Sequence, residues 1–195
     1  MWPWEHAILG YLVYSLFARV YYHDSPDALE VVAVVFASVL PEIIDKPLAW
    51  EFGVFDSGYE LGHSIFFAIP LSIVVGLVAR RLGRGPAGVA FGVGYLLHSP
   101  ADVFYHYVSG TGEVNLAIML WPVETVESPA EQNGFVDEFW RLFSRYGQDL
   151  LAGELSTYMW AQLGLAGFVF LVWLADGAPV IRECLVGAKR LVTPR

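Results

Sequence analysis

Cysteine is all but missing from this chain. Cys184 stands alone, which excludes an intrachain disulfide and a cysteine-rich zinc site. An isolated cysteine of this kind reads as a small apolar filler. Lysine is scarce, with two residues against nine arginines. Charged residues of all kinds reach only 16%. No basic stripe or groove is present to neutralise phosphates, which argues against nucleic-acid binding. The opening residues Met1 to Glu5 lack a basic region, so no cleavable signal is expected and the first apolar segment should be retained. Internal repeats and low-complexity runs are lacking too. What fills the chain instead is apolar: 56% of its 195 residues are hydrophobic, with a mean hydropathy of +0.51. That is enough for one domain, and it points to a polytopic membrane protein rather than a soluble enzyme. The net charge of −9, acidic and lysine-poor, suggests a halophilic source, where carboxylates keep a protein soluble at high salt.

Five apolar segments stand out: Trp4 to Tyr22, Ala28 to Ile44, Leu61 to Ala79, Pro86 to Val108 and Tyr158 to Ala175. A span needs about 20 residues, with about 17 as a lower limit. The third, fourth and fifth meet this comfortably. The first carries Glu5, His6 and Arg19 near its ends, and the second is short. The expected fold is all-α, a bundle of about five spanning helices. Residues 1–175 would form one membrane domain and residues 176–195 a short basic tail.

Orientation follows from Lys and Arg placement. Arg80, Arg81 and Arg84 lie between the third and fourth segments, and Arg182, Lys189, Arg190 and Arg195 follow the fifth. Both stretches should be cytoplasmic. Asp45 to Glu60 has four acids and one Lys, and Ser109 to Thr157 has eight acids and two Arg. Both should face outward. With five spans the amino terminus is then outside and the carboxyl terminus inside. Within the long outer connection (109–157), Phe135, Phe139, Leu142, Phe143, Tyr146 and Leu150 recur at helical spacing. An amphipathic helix near 135–151 is expected in the membrane interface. It reads either as a lid over an outer-face site or as an ordinary surface helix packed on the bundle.

The most informative stretch is Gly94 to His106. His98, Asp102 and His106 fall at i, i+4 and i+8, so they share one helical face. Ionisable residues inside an apolar helix are costly and usually functional. On the expected topology, His6, Glu42, Asp45 and His63 fall at the same outer end. Three imidazoles and two or three carboxylates suit zinc, and also manganese or nickel. A cation would neutralise the carboxylates, activate a water, and leave Glu42 or Asp45 free as a general base. Pro100 removes one backbone hydrogen bond beside His98, and a kink there would make room for substrate. Taken singly, a histidine placed like His6 or His63 is more often a capping or headgroup-level residue. His106 could snorkel to the interface, and His98 with Asp102 could be a simple hydrogen-bonded pair.

These residues resemble the YdjM-like membrane-bound metal-dependent hydrolases, LexA-regulated in some bacteria and common in haloarchaea. The resemblance covers roughly the first 125 residues. It rests on His6 to Gly10, Leu40-Pro41-Glu42-Ile43-Ile44-Asp45, Gly62-His63-Ser64, Gly94 to His98 followed by Asp102, and Leu120-Trp121-Pro122. It implies a helical membrane protein with a divalent-metal site and hydrolase activity. Carried over by position, the site would be His6, Glu42, Asp45, His63, His98 and Asp102. The chain departs from the family pattern in three ways. The His, Arg and Thr of an H-R-G-x-T-H-S run are replaced in Gly58 to Ser64, which removes a phosphate-clamping Arg. Glu42 stands where Asp is usual, with one extra residue before Asp45. Lys46 stands where a His often follows.

The resulting expectation is a membrane hydrolase with metal ligands His63, His98 and Asp102, then His6 and Asp45, and with Glu42 or Asp45 as base. Water would attack an ester or phosphoester of a lipid or envelope molecule at the outward face. The rival readings are a non-catalytic metal-binding membrane protein, a small solute or metal carrier, and an assembly scaffold.

Overall fold

The computed structural model describes residues 1–110, 112–126, 134–153 and 155–185. Lys189, Arg190 and Arg195 of the expected basic tail lie outside them. Among the described residues the fold is all-α, with no strand: α1 (Pro3–Tyr21), α2 (Ala28–Trp50), α3 (Ile65–Arg81), α4 (Gly85–Val108), a 3-10 turn (Leu116–Met119), α5 (Phe135–Ala152) and α6 (Thr157–Ala175).

The helix ends follow from local chemistry. Pro3 and Pro86 open α1 and α4 where a missing N–H costs nothing. Asp27 caps α2 by accepting from the Glu30 N–H at 2.9 Å, while Glu30 reaches back to the Asp27 N–H. Ser64 and Ser156 cap α3 and α6. Gly153, at φ +75°, ends α5 in the left-handed conformation that glycine adopts without strain.

Two boundaries differ from the sequence expectation. Helix α2 continues past Ile44 to Trp50, carrying Asp45 and Lys46 inside the helix; Pro47 does not end it. Helix α3 begins at Ile65, so His63 lies in the loop ahead of the helix. A hydropathy pattern reports lipid-like composition, not hydrogen bonding, and so misplaces both ends.

Helix α4 sits in the middle and packs against α1, α2 and α3, α6 packs on α1, and α5 meets α2. Among the described residues one helix, Thr157–Ala175, is long and apolar enough to cross a membrane by length and composition. Helix α3, with 17 residues, sits at the lower limit, and α2 carries Glu30, Glu42, Asp45 and Lys46.

Helices α1, α2 and α4 approach closely at Ser38. A Cβ on Gly94 would collide with Val34 O and Ser38 Oγ, and one on Gly10 would collide with Ser38 Oγ. Gly94 lies one turn before His98, and Gly10 one turn after His6. Two glycines thus let three backbones close up directly beside the two imidazoles. The same serine gives its carbonyl to His98.

Candidate metal centre

His6, Glu42, His98 and Asp102 each place one ligand atom within 4.8 Å of the others. They come from α1, α2 and α4, so the cluster exists only when the bundle closes. The His6 and His98 rings stack with centroids 3.7 Å apart. His6 Nε2 lies 3.3 Å from Asp102 Oδ1, and His98 Nε2 lies 3.4 Å from Asp102 Oδ2. His63 joins from the loop before α3, with its Nε2 3.1 Å from His98 Nε2 and 3.5 Å from Asp102 Oδ2. The amino group of Met1 lies 2.6 Å from Asp102 Oδ1.

Hydrogen bonds fix which nitrogens face the centre. His98 Nδ1 lies 2.7 Å from Ser38 O, a carbonyl that can only accept, so Nδ1 carries a proton. His63 Nδ1 faces Asp45 Oδ2 at 2.7 Å and by the same logic donates. With both rings neutral, each presents a bare lone pair at Nε2, and the two lone pairs point at one another. Nitrogens that close repel unless a proton or a cation lies between them. The neighbouring polar atoms raise the same demand: both ring nitrogens of His6 and Asp102 Oδ2 are buried without a hydrogen-bond partner. Buried polar atoms of this kind are rarely left alone. An imidazole and carboxylate set with unused lone pairs fits a divalent cation, and the residues present therefore suit one.

Asp45 stands one step back. Its carboxylate accepts from the backbone N–H groups of Glu60, Gly62 and His63 at 2.9, 2.8 and 3.1 Å, besides His63 Nδ1. It is outside the four-residue group, and its oxygens hold the loop and orient His63, the arrangement seen behind metal-bound histidines. Tyr95 and Ser99 of α4 secure the same loop by donating to Gly62 O and His63 O at 2.9 and 2.7 Å. Burial alone would lower the His63 pKa, but its contacts with Asp102 and Asp45 outweigh it and hold the imidazole above its ordinary value, so that without a cation a proton on His63 Nε2 bridges to His98.

Glu42, expected as a base and as part of the site, is one of the four clustered residues. His106 is half-buried beside Tyr105 and is not among them. In the sequence Lys46 stands out only as a departure from the family pattern. In the fold it is buried, with Nζ 3.7 Å from Glu42 Oε2 and 3.7 Å from the centre of the Tyr59 ring. The i, i+4 spacing of Glu42 and Lys46 on an apolar helix was the available signal; nothing local foretold Tyr59. Lys46 draws the Tyr59 phenol down, but burial with the charges of Asp102 and Glu42 prevails and pushes it up to about 12. The phenol is therefore neutral at physiological pH.

Two cavities flank the cluster and share Met1 and Tyr105 in their walls. One, of about 560 Å³, lies among α1, α2 and α5 and has Glu42 and Lys46 at its polar side. The other, of about 380 Å³, lies against α6 and contains Glu5. Helix α5 covers the first: Trp50 stacks on Phe135, and Phe135 N–H donates to Glu51 at 3.0 Å.

No curated protein and no solved structure matches this chain. Residues 1–177 match the family model described as YdjM inner membrane protein, and the chain belongs to that family.

Proposed function

We propose that this protein is a multi-pass membrane hydrolase in which a divalent cation, zinc first and manganese or nickel next, is held by His6, Glu42, His98 and Asp102 with His63 alongside. The observation that carries the reading is the pair of imidazole Nε2 atoms 3.1 Å apart beside buried, unpartnered His6 and Asp102 atoms. When bound, the cation would acidify a water and polarise an ester or phosphoester oxygen.

The chain's own residues have separable tasks. His6, Glu42, His98 and Asp102 bind the cation. Asp45 keeps the Nδ1 proton on His63, so that Nε2 faces inward. Glu42 offers the cation one carboxylate oxygen and borders the open cavity, so its other oxygen is placed to take a proton from water on that side, which favours Glu42 over Asp45 as the base. The apolar walls of the cavity exclude bulk water and suit a lipid-like substrate.

Support for several spans comes from the outer faces of the helices. Val32, Phe36 and Ile43 on α2, and Phe66, Ile69, Ile73 and Leu77 on α3, are exposed at helical spacing. Apolar stripes of that extent belong in lipid rather than water. The ionisable residues of the cluster lie inside the bundle. With Arg80, Arg81 and Arg84 cytoplasmic, the cluster opens outward, the amino terminus is outside and the carboxyl terminus inside. The source would be halophilic.

Elemental analysis of purified protein tests the premise. Wild type should carry stoichiometric divalent metal and hydrolyse a phospholipid or phosphodiester, and His98→Ala should lose both. Metal-free wild type, or His98→Ala with undiminished metal, sinks the proposal. Metal without hydrolysis supports the non-catalytic alternative.

A further inference from the structure

Lys46 is a buried ammonium on the wall of the 560 Å³ cavity. Its separation of 3.7 Å from Glu42 Oε2 exceeds a direct hydrogen bond. Its other close partners are aromatic faces, Tyr59 at 3.7 Å and Trp50 at 5.4 Å, which attract the charge without using its protons as a carboxylate would. Gly58, at φ +81°, makes room for it: a Cβ there would lie 3.0 Å from Lys46 Cδ and 3.4 Å from Nζ. The chain thus accommodates a cation that is held in place yet has N–H donors to spare.

The charges around it point the same way. A dication in the cluster cancels Glu42 and Asp102, and Asp45 does not line the cavity. Lys46 then leaves the polar side of the cavity with surplus positive charge. The Met1 amino group, paired with Asp102, adds to the positive side, and much of the remaining wall is apolar, with Val39, Ile43, Phe135, Phe139 and Leu142. A ligand that satisfies both sides has an anionic head and a hydrocarbon chain.

We infer that Lys46 is the specificity-determining cation of the site, and that the cavity takes a phosphorylated amphiphile, phosphate on Lys46 beside the cluster and chain along α2 and α5. This rests on the hydrolase reading for what happens to the ligand, but not for its binding. The positive charge excludes cationic heads, and the apolar wall favours a chained phosphoester over a free one.

The test measures binding rather than turnover. Purified full-length protein in a neutral detergent is titrated with dodecyl phosphate, with dodecanol and with inorganic phosphate, and metal content is measured on the same samples. Wild type should prefer dodecyl phosphate to both other probes. Lys46→Met, which preserves length and apolar volume, should weaken dodecyl phosphate about 10- to 100-fold, the range of a charge-assisted hydrogen bond, leave dodecanol unchanged and keep its metal. Lys46→Arg should restore most of the loss. An undiminished phosphate preference in Lys46→Met overturns the assignment. Inorganic phosphate bound as tightly as dodecyl phosphate overturns the amphiphile and points to a water-soluble phosphoester. Metal-free wild type overturns the hydrolase reading alone, because the binding comparison still reports on Lys46.

Discussion

Two buried aspartates sit at opposite ends of this bundle, and their surroundings differ in a way that separates support from function. Asp176, just after α6, is saturated by its own fold. Its Oδ2 accepts from Tyr11 and Ser15 at 2.5 and 2.7 Å, and Arg19 pairs with its Oδ1. Three donors from α1 meet one carboxylate, and nothing is left over. Asp102, on α4, is equally buried, yet its Oδ2 has no hydrogen-bond partner and faces imidazole nitrogens whose lone pairs are also free. A carboxylate closed by its own chain fastens helices together. One left open among unsatisfied nitrogens calls for a ligand from outside.

The strongest way to break this contrast is to neutralise each aspartate in turn and follow stability with and without metal. Asp176→Asn should cost about 2–4 kcal/mol in either condition, because Arg19 loses its partner; partial exposure of Arg19 keeps the cost below that of a fully buried pair. Its metal-dependent stabilisation should be intact. Asp102→Asn should do the reverse. Wild type should gain about 2.7 kcal/mol when metal is raised to about 100 times Kd, and Asp102→Asn should show almost none of that gain. Thermal unfolding in detergent, with chelator and with added zinc, reads both. Equal metal increments in the two variants would erase the distinction.

A second, smaller effect sharpens it. Asp45 resembles Asp176 in being saturated, but the donors it holds belong to the loop that carries His63. Asp45→Asn should therefore weaken metal affinity about 10- to 100-fold without abolishing it, as changes behind a ligand do. Zinc titration against a competing chelator measures this. No change in affinity would place Asp45 with Asp176 as a purely structural group; complete loss would make it a ligand.

How far the sequence could carry this picture depended on range. Periodicity and capping residues are local, so the helices were legible, including the amphipathic α5 within the long connection after α4. The partners His98 and Asp102 were legible because residues four apart on a helix share a face. The common end of His6, Glu42 and His63 followed from topology alone. What escaped were contacts made by folding at a distance. Asp45 and Glu42 are three apart on α2, and only the path of the loop through Glu60 to His63 decides that one holds backbone while the other joins the cluster. The Tyr59 face over Lys46, and the meeting of Tyr11, Ser15 and Arg19 with Asp176, are likewise tertiary. Asp176 read as the start of a tail, with no local sign that α1 closes around it.

The smallest expected effect tests whether the surface, as opposed to either buried aspartate, sets the response to salt. The net charge of −9 implies repulsion among exposed carboxylates, and at 1 M salt the screening length falls to about 3 Å. Raising KCl from 0.1 to 1 M should then stabilise wild type by about 1 kcal/mol or less, in line with the modest strength of exposed charge interactions. Asp102 and Asp176 are both shielded from solvent, so their Asn variants should show the same salt increment as wild type. Unfolding curves across KCl concentrations, recorded on chelated samples, give all three increments. A wild type fully stable at low salt removes the halophilic reading. A salt increment that changes in Asp176→Asn but not in Asp102→Asn would instead trace it to the half-exposed Arg19, at the closed end of the bundle.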